Sequence, residues 1–259
     1  MPSQLITAQE DQTLVLTLSG TETRNSLSPQ AVTAAIEALG TAESNAEVRS
    51  VVLRGDGAHF CAGGDLRRIG GARGRPPEAQ AASIDLFHTL VDALRSFPKP
   101  VIAAVEGFAA GGGMSLALAC DLIVAARDAR FVMSYGRVGL SPDGGATWHL
   151  ARALPRALAL ELVWLAEPVS AERLHALGVV NRLAEPGQAH AAALALAVQL
   201  AAMAPNALAS VKELVQAGPG RSLQAHMDAE RDAFVANLFH DNGGEGLDAF
   251  FAKRPPQFR

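Results

Sequence analysis

Polar and apolar positions alternate through Thr13-Leu14-Val15-Leu16-Thr17-Leu18, the period of a strand with one face against a core. Shorter, continuously apolar runs follow at Ser50-Val51-Val52-Leu53, Val101-Ile102-Ala103-Ala104-Val105 and Leu122-Ile123-Val124-Ala125-Ala126, and they predict fully buried strands. Ala129-Arg130-Phe131-Val132-Met133 supplies one more. Helical stretches lie between them. Ser28-Pro29 offers an N-cap and a proline at the first helical position, for a helix running to about Ser44. A second helix is predicted from about 81 to 95, ended by Pro98 and Pro100. Strand, glycine turn and helix recur in that order, which predicts an α/β fold with parallel strands.

From about Pro155 onward the strand pattern stops, and helices are predicted over 156–166, 171–177, 189–204, 206–217, 222–239 and 243–252. The chain therefore divides into a core of residues 1–195 and a helical region of residues 196–259. The alanine- and leucine-rich faces of those helices must be covered, either by the core or by other copies of the chain. Gly70-Gly71-Ala72-Arg73-Gly74-Arg75-Pro76-Pro77 has no apolar period and reads as a loop, either a lid or a solvated surface segment.

Two glycine-bearing turns carry the candidate chemistry: Phe60-Cys61-Ala62-Gly63-Gly64-Asp65 and Ala109-Ala110-Gly111-Gly112-Gly113. The second opens into Met114-Ser115-Leu116-Ala117-Leu118-Ala119-Cys120, so its last glycines are predicted at a helix N-terminus, where backbone N–H groups lack intrahelical partners. Glycine leaves room for a ligand to approach such backbone. One further N–H from the first turn would complete an oxyanion hole, a pair of donors aimed at charge developing on a carbonyl oxygen. Read alone, each turn is equally an ordinary strand-to-helix connection.

Composition narrows the class. A chain of 259 residues with 49% hydrophobic and 19% charged residues is ordinary for a soluble globular enzyme with a buried core. A net charge of -4 and no basic run argue against nucleic-acid binding. Two cysteines, Cys61 and Cys120, make a disulfide framework unexpected and fit a reducing cytoplasm. Met1 to Leu5 shows neither a basic n-region nor an apolar h-region, so no signal peptide is expected. Glu106 and Asp121 interrupt the most apolar stretch before it reaches the ~20 residues of a membrane span. No cluster of His, Cys, Asp and Glu has metal-ligand spacing.

Five segments in order resemble the motifs of the crotonase family, the enoyl-CoA hydratase/isomerase superfamily: Arg24-Asn25-Ser26-Leu27, Phe60 to Asp65, Lys99 to Val105, Gly111 to Gly113 with Cys120-Asp121, and Gly246-Leu247-Asp248-Ala249-Phe250. The resemblance implies a crotonase-like spiral of ββα units with a C-terminal all-helical oligomerisation region, assembled as a homotrimer or a dimer of trimers. It implies acyl-CoA thioester substrates and no separate cofactor, coenzyme A entering as part of the substrate. Carried over by position, the oxyanion donors are the amides of Gly64 and Gly112, and the intermediate is a thioester enolate. CoA contacts fall around Arg24, Ala62, Asp65 and Leu66, with Phe250 and Lys253 near the C-terminus.

The chain departs from that pattern at the two glutamates of the family's hydratases. Their positions hold Ser115 and Tyr135 here, and neither is a carboxylate. Addition of water across a double bond needs an acid and a base, and tyrosine, with an ordinary pKa near 10, is a poor base. The stretch Gly139-Leu140-Ser141-Pro142-Asp143-Gly144-Gly145 instead resembles the branch containing Δ3,Δ2-enoyl-CoA isomerases and the ring-opening isomerases of phenylacetate degradation, and Ala252 to Phe258 resembles the phenylacetate branch too. There an acidic residue after the proline is the lone acid/base, which assigns that role to Asp143. Asp143 also reads as a turn residue capping the next helix. Three alternatives stay open: a hydratase using Glu106, a hydrolase using Ser115 with one of His59, His88 or His149, and an acyl-CoA-binding protein with little catalysis.

Overall fold

The alternating segment forms a strand and pairs with a neighbour that the sequence pattern left unmarked. In the computed structural model, which describes residues 2–259, β1 (Gln4–Glu10) runs antiparallel to β2 (Thr13–Ser19). Residues of β1 are mostly exposed, so it has no apolar stripe to announce it. Helix α1 (Pro29–Glu43) begins as predicted, with Ser28 Oγ accepting from Ala31 N at 3.0 Å and Pro29 at the first position. At its other end Lys99 Nζ donates to the carbonyls of Ala42 and Asn45, both at 2.7 Å.

Strand β3 (Ser50–Gly55) leads to the first glycine turn, then α2 (Leu66–Ala72) and α3 (Pro77–Ser96). The expected loop over 70–77 is therefore corrected: Gly70 and Gly71 lie inside α2, which Asp65 caps, and only 73–76 connect it to α3. Prolines 76 and 77 start α3 a turn earlier than expected, because proline suits a first helical turn.

The chain then lays successive strands in two sheets. Strand β4 (Val101–Val105) is followed by β5 (Phe108–Ala110) and α4 (Gly112–Ala119), and β6 (Leu122–Ala126) by β7 (Arg130–Val132) and, after a 3₁₀ turn at Ser134–Val138, α5 (Ala146–Ala153). With β8 (Val169–Ser170) and β9 (Arg182–Ala184) added from later in the chain, one strand of each pair joins a six-stranded sheet ordered β1-β2-β3-β4-β6-β9, parallel beyond β1, and the other joins a three-stranded sheet ordered β5-β7-β8. This is the ββα spiral.

Helix α6 (Arg156–Leu165) follows, and the expectation that strands stop near Pro155 is corrected by β8 (Val169–Ser170) and β9 (Arg182–Ala184), which flank α7 (Ala171–Ala176). Two or three residues carry no measurable period; the pairing partners β7 and β6 make them strands. Helix α8 (Ala189–Ala201) covers the large sheet through Ala193, Leu196 and Ala197, packed with Val52, Ile102 and Val124. The boundary expected after residue 195 falls inside it. Its N-terminus is capped by the Glu106 carboxylate, which accepts from Ala189 N at 2.7 Å and Gly187 N at 3.1 Å.

Helices α9 (Pro205–Ala217), α10 (Leu223–Leu238) and α11 (Asp241–Ala252) complete the chain. Asp121 ties α9 to the core, its Oδ2 accepting from Lys212 Nζ and Val101 N, both at 2.8 Å. Among the described residues no single helix is long and apolar enough to cross a membrane.

Where α5 meets α3, Trp148 lies between two guanidinium groups, Arg95 at 4.3 Å and Arg152 at 3.6 Å from its ring centre. Burial, and then the charges of Arg95 and Arg152, lower the neighbouring His149 to about 4. The unfolded chain takes a proton at His149 near pH 6.5, whereas the folded chain resists it down to about 4. Stability from this site is therefore full above about pH 6.5 and is lost as pH falls toward 4. Denaturant midpoints measured across that window should fall less steeply in His149→Asn than in the parent protein; parallel curves would reject the assignment.

Candidate active site

The site is built where the two glycine turns are laid against each other. Asn25, fully buried with φ 58°, donates from Nδ2 to the carbonyls of Asp56 (2.9 Å) and His59 (2.7 Å) and accepts from Gly20 N (3.0 Å). It thereby fixes the loop leaving β3. The first turn then bonds on two sides. Leu27 N donates to Gly63 O at 2.8 Å and Ala62 N to Arg24 O at 2.9 Å, while Cys61 N donates to Phe108 O at 3.1 Å and Ala110 N to Cys61 O at 2.9 Å. The approach is close enough to demand glycine. A Cβ on Gly63 would stand 2.6 Å from Ala110 O and 2.7 Å from Gly112 N, and one on Gly113 would stand 2.1 Å from Cys61 O.

Gly111 accepts from Met114 N and Ser115 N and starts α4, leaving Gly112 as its first residue. Among the described residues, the amides of Gly64 and Gly112 donate to no backbone or side-chain acceptor outside the helix ladder, and a first-turn amide has no partner within it. Both glycines line one cavity, about 570 Å³ including its open mouth, together with Leu27, Phe87, Tyr135 and Asp143.

Asp143 sits two residues before the glycine that begins α5, and its carboxylate is turned away from that helix: Oδ1 accepts from Tyr135 Oη at 2.5 Å. The helix-capping reading of Asp143 is thus corrected. Burial, followed by the Asp143 charge and that hydrogen bond, pushes the Tyr135 phenol well above its ordinary value, so Tyr135 is a donor, not a base. Behind them Ser115, fully buried, donates to Asp143 O at 3.0 Å. Ser115 is absent from the cavity lining: its hydroxyl is spent on the backbone of the Asp143 turn. Gly144 N donates to His88 Nε2 at 3.3 Å, and the Gly144 backbone, φ +60°, is wedged against Phe87. His88 and Phe87, adjacent on α3, anchor the turn from the other side; no motif pointed to His88.

The remaining expected residues are dispersed. Asp65 Oδ1 caps α2 by accepting from Arg67 N at 2.9 Å, and Leu66 is exposed beside it. Arg24 is exposed in a left-handed conformation, joined to Ala62 only through backbone. Phe250, 77% exposed, and Lys253 lie on α11 and its end, outside the cavity that holds Asp143. Glu106 is committed to the α8 cap and absent from the cavity lining, so it supplies no second carboxylate. Cys61 is buried and its thiol is pushed up to about 12 by that burial, so it is not a nucleophile.

A profile of the enoyl-CoA hydratase/isomerase family matches residues 8–259. The chain is 36% identical over 250 residues to 1,2-epoxyphenylacetyl-CoA isomerase of Escherichia coli strain K12, covering 96% of this chain and 95% of that one. Its fold superposes on the crystal structure of an enoyl-CoA hydratase from Polaromonas sp. JS666 with a TM-score of 0.98, 57% identity and coverage of 99% and 100%. An enoyl-CoA hydratase from Mycobacterium tuberculosis H37Rv gives a TM-score of 0.88 at 33% identity, covering 100% and 99%.

The Gly144 wedge can be tested directly. A Cβ there would meet Phe87 Cε1 at 2.3 Å in a backbone conformation that disfavours side chains. Gly144→Ala should cost roughly 2–4 kcal/mol in denaturant unfolding, from overpacking plus positive-φ strain. An unchanged midpoint would mean that the turn is looser than its contacts indicate.

Proposed function

We propose that this chain, which belongs to the enoyl-CoA hydratase/isomerase family of the crotonase superfamily and so processes acyl-CoA thioesters, shifts a carbon–carbon double bond in its substrate. The observation that carries this reading is that Asp143 is the one carboxylate among the residues lining the cavity that exposes the Gly64 and Gly112 amides.

The chemistry follows from that count. With the thioester oxygen between the two amides, Asp143 removes an α-proton from a 3-enoyl-CoA. Electrons move onto the oxygen, and the enolate is stabilised by two fixed N–H donors, each worth roughly 10²–10³ in rate. Asp143 then returns the proton to the γ-carbon, giving the conjugated 2-enoyl-CoA. One group serves both transfers because no water is activated. Tyr135 holds one carboxylate oxygen and leaves the other for the substrate. Hydration would need a second acid/base, and Glu106, Ser115 and Tyr135 are each otherwise engaged or protonated. Similarity to the 1,2-epoxyphenylacetyl-CoA isomerase supports this branch, and hydration, the activity for which the Polaromonas and Mycobacterium neighbours are named, is the competing reaction to be measured.

Coenzyme A enters as part of the substrate, through contacts assigned to Arg24, Ala62, Asp65 and Leu66. Phe234, Phe250 and Phe251 on the last two helices, and Phe239 between them, are each 69% exposed or more. Apolar surface of this kind fits self-association of the chain as a trimer or pair of trimers, which would also bring Phe250 and Lys253 to a neighbour's substrate.

Asp143→Asn should lower isomerisation of 3-enoyl-CoA by about 10²–10⁴, the range of general acid–base catalysis, while a saturated acyl-CoA still binds. Full activity in that variant, or hydration of 2-enoyl-CoA by the parent protein at a rate matching isomerisation, would overturn the reading. Tyr135→Phe removes the donor and keeps the ring. It should reduce kcat by about 10- to 100-fold with KM little changed, since a hydrogen bond to a charged group is worth roughly 1.5–3 kcal/mol.

A further inference from the structure

The cavity does not end in apolar side chains. Beyond Leu27, Val32, Ile84 and Phe87 its lining includes Arg68, Gln80 and Ser83. These three also line an adjoining hollow with Gly71, Arg75 and Ala79, and none of Gly64, Gly112, Tyr135 or Asp143 reaches that hollow. Arg68 thus stands where the reaction cavity runs on, away from the reacting end. Helix α3 gives the scale. Gln80, Ser83, Ile84 and Phe87 lie on one helical face, and Phe87 packs against Gly112 and Gly144. Ser83 is four residues and Gln80 seven residues back along the helix, about 6 and 10 Å by the helical rise.

Arg68 has a free charge to offer. Its Nη1 donates to Ser83 Oγ at 3.0 Å, and no carboxylate among the described residues pairs with it. Arg67, Arg73 and Arg75 on the same stretch add positive potential, against Asp65 and Glu78. Arg68 is itself exposed, and its guanidinium, held by a serine hydroxyl at the outer rim of the cavity, matches a carboxylate better than a methyl terminus or a neutral ring.

Resting on the acyl-CoA reading above, we propose that Arg68, with Ser83 and Gln80, recognises a carboxylate at the far end of the acyl chain. The preferred substrates are then short ω-carboxyacyl-CoA thioesters. Arg68 is a specificity residue here and has no part in proton transfer. A phosphate of coenzyme A has the same chemistry as the carboxylate. Arg68 also lines a third hollow with Asp65, one of the expected CoA contacts. The acyl carboxylate is favoured because Arg68 shares with Asp143 the cavity that exposes the Gly64 and Gly112 amides, which Arg24, Ala62, Asp65 and Leu66 do not line.

Calorimetric binding of saturated ligands separates these sources without requiring turnover. The probes are adipyl-CoA and glutaryl-CoA, hexanoyl-CoA and pentanoyl-CoA of matching length, and free CoA. The parent protein should bind the ω-carboxy member of each pair about tenfold or more tightly, the ratio of one charge-assisted hydrogen bond. In R68Q that ratio should fall to near one, and R68K should restore part of it. Equal binding of the paired ligands by the parent protein would overturn the proposal. So would an R68Q loss shared by free CoA and both members of each pair, which would place the guanidinium on the phosphates. Failure of the parent protein to bind any acyl-CoA would instead reject the acyl-CoA reading itself.

Discussion

Everything at this site depends on backbone approaching backbone. Cys61 exchanges hydrogen bonds with Phe108 and Ala110, and that short ladder sets Gly63 directly against the first turn of α4. At such a separation no side chain fits at Gly63 or Gly113, and the main chain itself becomes the wall of the cavity. Two amides are then left facing the same space for different reasons. Gly112 is first in a helix, where no acceptor lies behind it, and Gly64 sits at an isolated bridge whose recorded bond uses Leu27 N and Gly63 O. The donors are preorganised because the fold, and not the substrate, has already fixed their orientation.

The acid/base group is held by a different means. Asp143 lies in a turn outside regular structure, so it needs support from each element that surrounds it. Tyr135 fixes the carboxylate, Ser115 fixes the carbonyl, and His88 and Phe87 hold the following glycine. Three of these four residues, Tyr135, Ser115 and Phe87, are buried or half-buried. A functional side chain on a loop can be as well placed as one on a helix when the loop is hydrogen-bonded on both flanks.

Much of this is legible in the amino-acid sequence itself. The apolar runs at 50–53, 101–105 and 122–126 became strands in the predicted places because burial on both faces leaves a continuous signal. The Ser28-Pro29 start and the glycine-led start of α4 were equally readable, since capping chemistry is local. What escaped was decided by tertiary partners. Strand β1 shows no periodicity because it is mostly solvated, and β8 and β9 are too short to show one. Helix α2 is hidden by Gly70 and Gly71, and it forms with Asp65 as cap and α3 beside it. At the site, the two glycines and Asp143 were nameable from motif order. The Tyr135–Asp143 pair and the arrival of His88 from α3 were not, because spacing along a chain says nothing of which side chains the fold brings within hydrogen-bond reach.

Glu106 shows why the count of carboxylates has to be taken from the structure. In sequence it sits five residues before Gly111, within easy reach of an oxyanion turn, and a second carboxylate there would favour the addition of water. In the folded chain both its oxygens accept amides at the start of α8, which lies on the large sheet. Freeing it for catalysis would uncap that helix and leave the buried Ala189 amide without an acceptor, at about 1–3 kcal/mol. The site's chemistry is therefore limited by what the scaffold has already consumed. With Glu106 in the cap, Tyr135 kept protonated by its own neighbour and Ser115 bonded to main chain, one carboxylate remains to move a proton between two carbons of the same substrate.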